Sequence, residues 1–148
     1  MANAIYPKFK EALLSPGIDL VNGYLGSGSG AAPSAVVLKA VLVTSAYTYN
    51  AAHQFASSLA GQVGTPQALA SKTVAGGVLN AASIVFPTVA TGSTAVGIAL
   101  YLDTGTPSTS RLVAFIDTLT GSTAMSIVTN GGDVTINWDT GAPKIFAL

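Results

Sequence analysis

Cysteine is absent from this chain, so neither a disulfide framework nor a Cys-based zinc site is available. Charge is scarce: Asp, Glu, Lys and Arg make up 8% of the 148 residues, against roughly 25% in an ordinary soluble protein. Six basic and six acidic residues cancel, with no Lys/Arg cluster. A nucleic-acid partner needs a basic face to neutralise phosphates, so none is expected. For the same reason no membrane partner is expected through a polybasic patch. Long apolar runs are missing too. The longest, residues 31–43, is interrupted by Pro33, Ser34 and Lys39 and is too short to span a bilayer. No basic stretch leading into an apolar one opens the chain, so no secretory signal is expected. With one His, one Glu and no Cys, the three or four ligands of a zinc site are hard to assemble. No metal and no cofactor are expected.

A neutral chain with so few charges has little to keep its copies apart. Its polar surface must come from Ser, Thr, Asn and Gly, a profile that suits work inside a larger assembly. The length is that of one domain able to bury a core.

What the sequence does contain is β-pattern. Residues 98–102 and 112–116 are compact apolar runs, as expected of strands covered on both faces. They are joined by a string of turn formers, Asp103 to Ser110. Residues 133–139 alternate: Val134, Ile136 and Trp138 fall on one face, Asp133, Thr135, Asn137 and Asp139 on the other. Residues 35–44 read as a strand, and Tyr47-Thr48-Tyr49 continues the β preference. Residues 67–74 and 78–86 form a strand pair across Ala75-Gly76-Gly77. Phe86-Pro87 ends the second, since Pro donates no ladder hydrogen bond. Turns are expected at Asn22-Gly23, Gly92-Ser93 and Gly141-Ala142-Pro143, and a loop over 61–66. Residues 144–148 form a short apolar tail.

Two helices are expected. Ile5, Phe9 and Leu13 recur at helical spacing over 4–14, with Pro7 in the first turn and Ser15-Pro16-Gly17 as the stop. This segment is either a cap on an open sandwich end or an arm reaching a neighbouring subunit. A second, short helix is expected near 51–59 with Asn50 as N-cap. The Gly26-Ser27-Gly28-Ser29-Gly30 segment is a flexible loop. It lacks the preceding strand and the later acidic residue of a dinucleotide site. The pattern predicts a mainly β chain: an antiparallel β-sandwich or jelly-roll-like single domain, with 1–16 as N-terminal helix or arm and 17–148 as the β-domain.

Little of this is chemistry. His53, the only histidine, is read as a packing or surface residue, because no serine is spaced to pair with it. Asp103-Thr104-Gly105 and Asp139-Thr140-Gly141 resemble the aspartic-protease signature, in which two carboxylates share a proton. They are also what a β-turn uses after a strand, and the chain is far shorter than a two-lobed protease. No enzyme is expected. Tyr47, Tyr49 and Tyr101 are the candidate interface anchors, because Tyr tolerates half-wet sites.

Several stretches together carry a family resemblance. They are the opening from Asn3-Ala4-Ile5-Tyr6-Pro7-Lys8-Phe9 to Leu14, Tyr47-Thr48-Tyr49-Asn50-Ala51-Ala52-His53-Gln54-Phe55, and Ser71-Lys72-Thr73. Further on come Tyr101-Leu102-Asp103-Thr104-Gly105-Thr106, Ser110-Arg111-Leu112-Val113-Ala114-Phe115-Ile116-Asp117, and the ending from Asn130-Gly131-Gly132-Asp133 through Trp138-Asp139 to Lys144-Ile145-Phe146. The chain resembles a family of small virion structural proteins of tailed bacteriophages over nearly its whole length, departing around 24–34 and 118–127. The resemblance implies a capsid decoration, or cement, protein on the outside of the head. Its partners would be the major capsid protein and further copies of itself, with Ile5, Tyr6, Phe9 and the exposed tyrosines on the contact surface. The alternatives are a tail or tail-tube component, or a glycan- or receptor-binding β-module of the virion.

Overall fold

A computed structural model describes residues 3–14, 18–19, 24–25, 34–139 and 145–148. The expected stop at Ser15-Pro16-Gly17, the turn at Asn22-Gly23, the Gly26 to Gly30 segment and the turn at Gly141-Ala142-Pro143 lie outside these residues.

The chain opens with strand β1 (Ala4–Ile5) and helix α1 (Pro7–Leu13), then a small ladder of β2 (Ile18–Asp19), β3 (Tyr24–Leu25) and β4 (Ser34–Ala35). There follow β5 (Val37–Val43), a 3-10 turn (Ala56–Ser58), β6 (Gln62–Ala68), β7 (Thr73–Ala75), β8 (Val78–Asn80) and β9 (Ile84–Phe86). Next come β10 (Thr94–Ala95), β11 (Gly97–Asp103), β12 (Arg111–Ile116), β13 (Thr118–Leu119) and β14 (Thr123–Ala124). The chain closes with β15 (Ile127–Val128), β16 (Val134–Ile136) and β17 (Phe146–Ala147). Every described ladder is antiparallel.

The two apolar runs of the C-terminal third, β11 and β12, are neighbours at the centre of a five-stranded sheet ordered β1-β12-β11-β5-β6. Register sets its two faces. Ile98 faces Leu42 across the pair, Leu100 faces Ala40, and Leu102 faces Leu38. The alternate rows join Ala99 to Val41 and Phe115. Both rows are buried, which explains why these strands are apolar throughout rather than alternating. Tyr6, Tyr47 and Tyr49 cover the Phe115 face. Over the other face lie the short ladders: Ile98 and Ala114 share a cleft with Ile136, Ile145 and Phe146. The result is mainly β and sandwich-like. Beyond the five-stranded sheet the described strands form two- and three-stranded ladders, among them β16-β9 and β17-β8-β7.

The hairpin across Ala75-Gly76-Gly77 is present as β7–β8, with Gly76 and Gly77 at φ of +56° and +77°, the left-handed pair that a two-residue hairpin turn needs. β9 ends at Phe86, before Pro87. The alternation over 133–139 is real, with 134, 136 and 138 half-buried and their neighbours exposed, although only 134–136 are laddered.

Three expectations need correction. The first helix does not begin at residue 4. Tyr6 is extended (φ −63°, ψ 129°), as a residue before proline prefers, so α1 starts at Pro7 and residues 4–5 pair with β12 instead. The loop expected over 61–66 belongs to edge strand β6. There the register against β5 jumps from Gln67 to Val63, which lets Gly64 and Pro66 sit where no inner ladder needs them. The helix expected near 51–59 is a turn at 51–52 and a three-residue 3-10 turn, because backbone groups of Gln54 and Ala56 are taken by Leu112 and Ser110.

Candidate functional site

Three stretches distant in sequence, 3–6, 54–56 and 110–118, meet along one edge of the sheet. β12 needs hydrogen-bond partners along its outer side, and two distant segments supply them. Ala4 and Ile5 pair with Phe115 and Ala114, and Tyr6 N donates to Val113 O (3.1 Å). Below them, Leu112 N donates to Gln54 O (2.9 Å) and Ala56 N to Ser110 O (2.8 Å). Asn3 clamps the upper end. Its Oδ1 accepts from the amides of Asp117 (3.0 Å) and Thr118 (2.9 Å), and its Nδ2 donates to Thr118 O (3.1 Å).

Between these segments sits an aromatic cluster. The Tyr6 ring lies tilted against Tyr49 at 5.0 Å, Tyr47 meets Phe115 edge-on at 5.4 Å, and Tyr49 stacks on Phe115 at 6.1 Å. The Tyr6 and Tyr47 hydroxyls lie 2.6 Å apart, and Tyr47 Oη lies 3.1 Å from His53 Nδ1. Burial pushes the Tyr6 phenol well above its ordinary range, and its bond to Tyr47 pushes the same way. Burial raises Tyr47 too, against its bond to Tyr6. These are neutral hydroxyls held in a core.

The placement revises the interface expected from the sequence. Tyr6 and Phe9 are wholly buried and Tyr47 nearly so, while Ile5 and Tyr49 are half-buried against the core. Tyr101 is buried elsewhere, beside the Lys39–Asp103 ion pair, where burial pushes its phenol up to about 12. Residues 4–5 thus form an edge of the sheet, and Tyr6, Phe9, Tyr47 and Tyr101 present little or no surface, while Ile5 and Tyr49 stay partly exposed. The exposed aliphatics are others, with Leu14 91%, Val128 72% and Leu148 65% accessible.

Asp103-Thr104-Gly105 is a turn. Asp103 Oδ1 accepts Gly105 N (2.9 Å), Gly105 lies at φ +84°, and Ser110 Oγ donates to the same carboxylate (3.2 Å). The hydrogen-bonded Lys39 ammonium holds the Asp103 carboxyl below the usual range. Thr140 and Gly141 of the second copy lie outside the described residues. Among the described residues no group of three or more His, Cys, Asp or Glu could hold a metal ion, and no helix is long and apolar enough to cross a membrane.

Two features have no local sequence signature. One is a cleft of about 690 Å³ walled by Ile5, Ile116, Ile136 and Trp138, with Asp139 its only described titratable residue. The other is Arg111, at the start of β12. Its guanidinium lies over the Phe55 ring (5.6 Å), and burial lowers its pKa.

The chain matches no protein-family model, and no curated protein matches it.

Proposed function

We propose that this is a non-enzymatic structural protein of a tailed-phage virion, a decoration protein that sits on the outside of the head across major capsid subunits. The observation that carries the reading is the distributed resemblance from Asn3 to Phe146. Of its residues, Tyr6, Phe9, Tyr47 and Phe115 lie in the core, Tyr49 packs against it and His53 meets Tyr47. The sparse, balanced charge and the mainly β sandwich-like body support it, because wide and mildly polar contacts suit a subunit that binds by area rather than by chemistry. Such a contact buries on the order of 1,600 Å², and binding only the assembled shell stabilises it by mass action.

The test is co-sedimentation of the purified chain with expanded, undecorated heads of its own phage. A fixed copy ratio to the major capsid protein is expected. Protein left at the top of the gradient, while intact virions carry it on their tails, moves the assignment to a tail component. Truncating residues 1–15 is the wrong probe, since it strips Tyr6 and Phe9 from the core.

A further inference from the structure

Among the described cations, Lys8 is held by Glu11 (2.8 Å) and Lys39 by Asp103 (2.6 Å), while half-buried Lys72 donates to the Leu69 carbonyl (3.0 Å). Arg111 is the chain's single arginine. It is half-buried, yet no described carboxylate lies within ion-pair distance. Its one hydrogen bond is long, from a terminal nitrogen to Lys8 O (3.4 Å), and its buried Nε has no partner. Glu11, the one acidic residue of α1, is already taken by Lys8. A desolvated cation without a counter-ion is costly to keep, and a charged hydrogen-bond partner relieves that cost.

We infer that Arg111 is the receptor for a carboxylate, an Asp or Glu side chain, brought by a partner protein to the face formed by α1 and Phe55. The geometry selects the chemistry. Phe55 takes one flat face of the guanidinium, which leaves its edge, and that planar fork matches a carboxylate. A nucleic-acid phosphate is disfavoured, because one arginine without a surrounding basic stripe cannot track a phosphate backbone. Naming the partner as a capsid subunit rests on the proposed virion role. The carboxylate preference does not.

One arginine means one Nε–Hε cross-peak in the nitrogen-15 spectrum of the full chain. Adding tetraglutamate is expected to move it saturably, while tetraserine at matched ionic strength leaves it in place. A cross-peak indifferent to tetraglutamate, or moved equally by inorganic phosphate, overturns the inference. On expanded heads, Arg111→Gln is expected to bind about tenfold more weakly with its melting temperature retained, and Arg111→Lys severalfold more weakly. If Arg111→Gln does not fold, Arg111→Lys decides. Wild type that sediments with heads while folded variants do so equally well overturns the inference and leaves the virion role standing. Wild type that does not sediment at all removes the virion role, and the peptide titration alone then decides for or against Arg111.

Discussion

The hydroxyls of Tyr6 and Tyr47 lie 2.6 Å apart in the core, joining the residue that precedes α1 to the loop that follows β5. Tyr47 also meets His53 Nδ1 (3.1 Å), so its hydroxyl serves two partners and that of Tyr6 only one. Tyr47→Phe orphans a wholly buried phenol and is expected to cost about 2–3 kcal/mol, against about 1 kcal/mol for Tyr6→Phe. The double variant should lose less than the sum, because removing both partners leaves nothing unsatisfied between them. Urea unfolding of the three variants measures this, and strict additivity would contradict the geometry.

Asn3 makes three bonds to the Asp117–Thr118 backbone and so pins the free end of β1. Asn3→Ala is expected to loosen that strand locally, at about 1–3 kcal/mol. Amide exchange at Tyr6, Asp117 and Thr118 should accelerate, and trypsin should reach Lys8 and Lys10 sooner. Unchanged exchange would mean that the ladder to β12 and the packed side chains hold β1 without Asn3.

Gly97 lies under the Phe115 ring. A Cβ there would meet ring carbons at 2.5 and 2.8 Å and the Ile116 carbonyl at 3.3 Å. Phe115 cannot yield easily, because Tyr47 and Tyr49 pack against it. Gly97→Ala is therefore expected to destabilise by about 1–3 kcal/mol despite its better strand preference. Gly97→Ala with Phe115→Leu should lose less than the two changes taken separately, which thermal melts can check.

Stability should fall at both ends of the pH range, for opposite reasons. Burial first, and then the Asp103 charge, push Tyr101 up to about 12, so the folded state holds a proton that the unfolded chain releases near pH 10. Its contribution is full below about pH 10 and is lost as pH rises towards about 12, at about 1.4 kcal/mol per pH unit. Tyr101→Phe should remove its share of that slope and leave the share of Tyr6 and Tyr47, whose phenols burial also raises. At the acid end the Lys39 ammonium holds Asp103 below its unfolded value. Its contribution is present above about pH 4 and is lost as pH falls through the folded value. Asp103→Asn should flatten the acid limb and cost about 1–2 kcal/mol at neutral pH. Unfolding free energies measured from acid to alkaline pH test both limbs.

How much was legible follows from what periodicity reports. It tells which face of a strand is buried, so β11, β12 and the 133–139 alternation could be placed from sequence, as could the Gly76-Gly77 turn. It does not report which edge a strand offers or who fills it. The helical spacing of Ile5, Phe9 and Leu13 points to one helix, yet only Phe9 and Leu13 lie in α1, because Pro7 blocks its extension and β12 takes Ile5. Asn50 was read as a helix cap. It does accept Ala52 N (2.9 Å), but in a turn, since the β12 edge draws on the backbone that a helix there would have used.

The tyrosines show the same division. Composition marked them as fit for a half-wet surface, which a tyrosine also is when another phenol satisfies its hydroxyl inside a core. Only the tertiary structure brought Tyr6 to Tyr47 across forty-one positions. By itself the sequence determined the β class, the covered strands, the Gly76-Gly77 turn and the scarcity of charge, because each is written in neighbouring residues. The tertiary structure decided which segments complete β12, which aromatics are core, and that no described carboxylate pairs with Arg111. Hydrogen bonds and ion pairs at a sheet edge are satisfied by whatever the fold brings there, and local pattern carries no record of it.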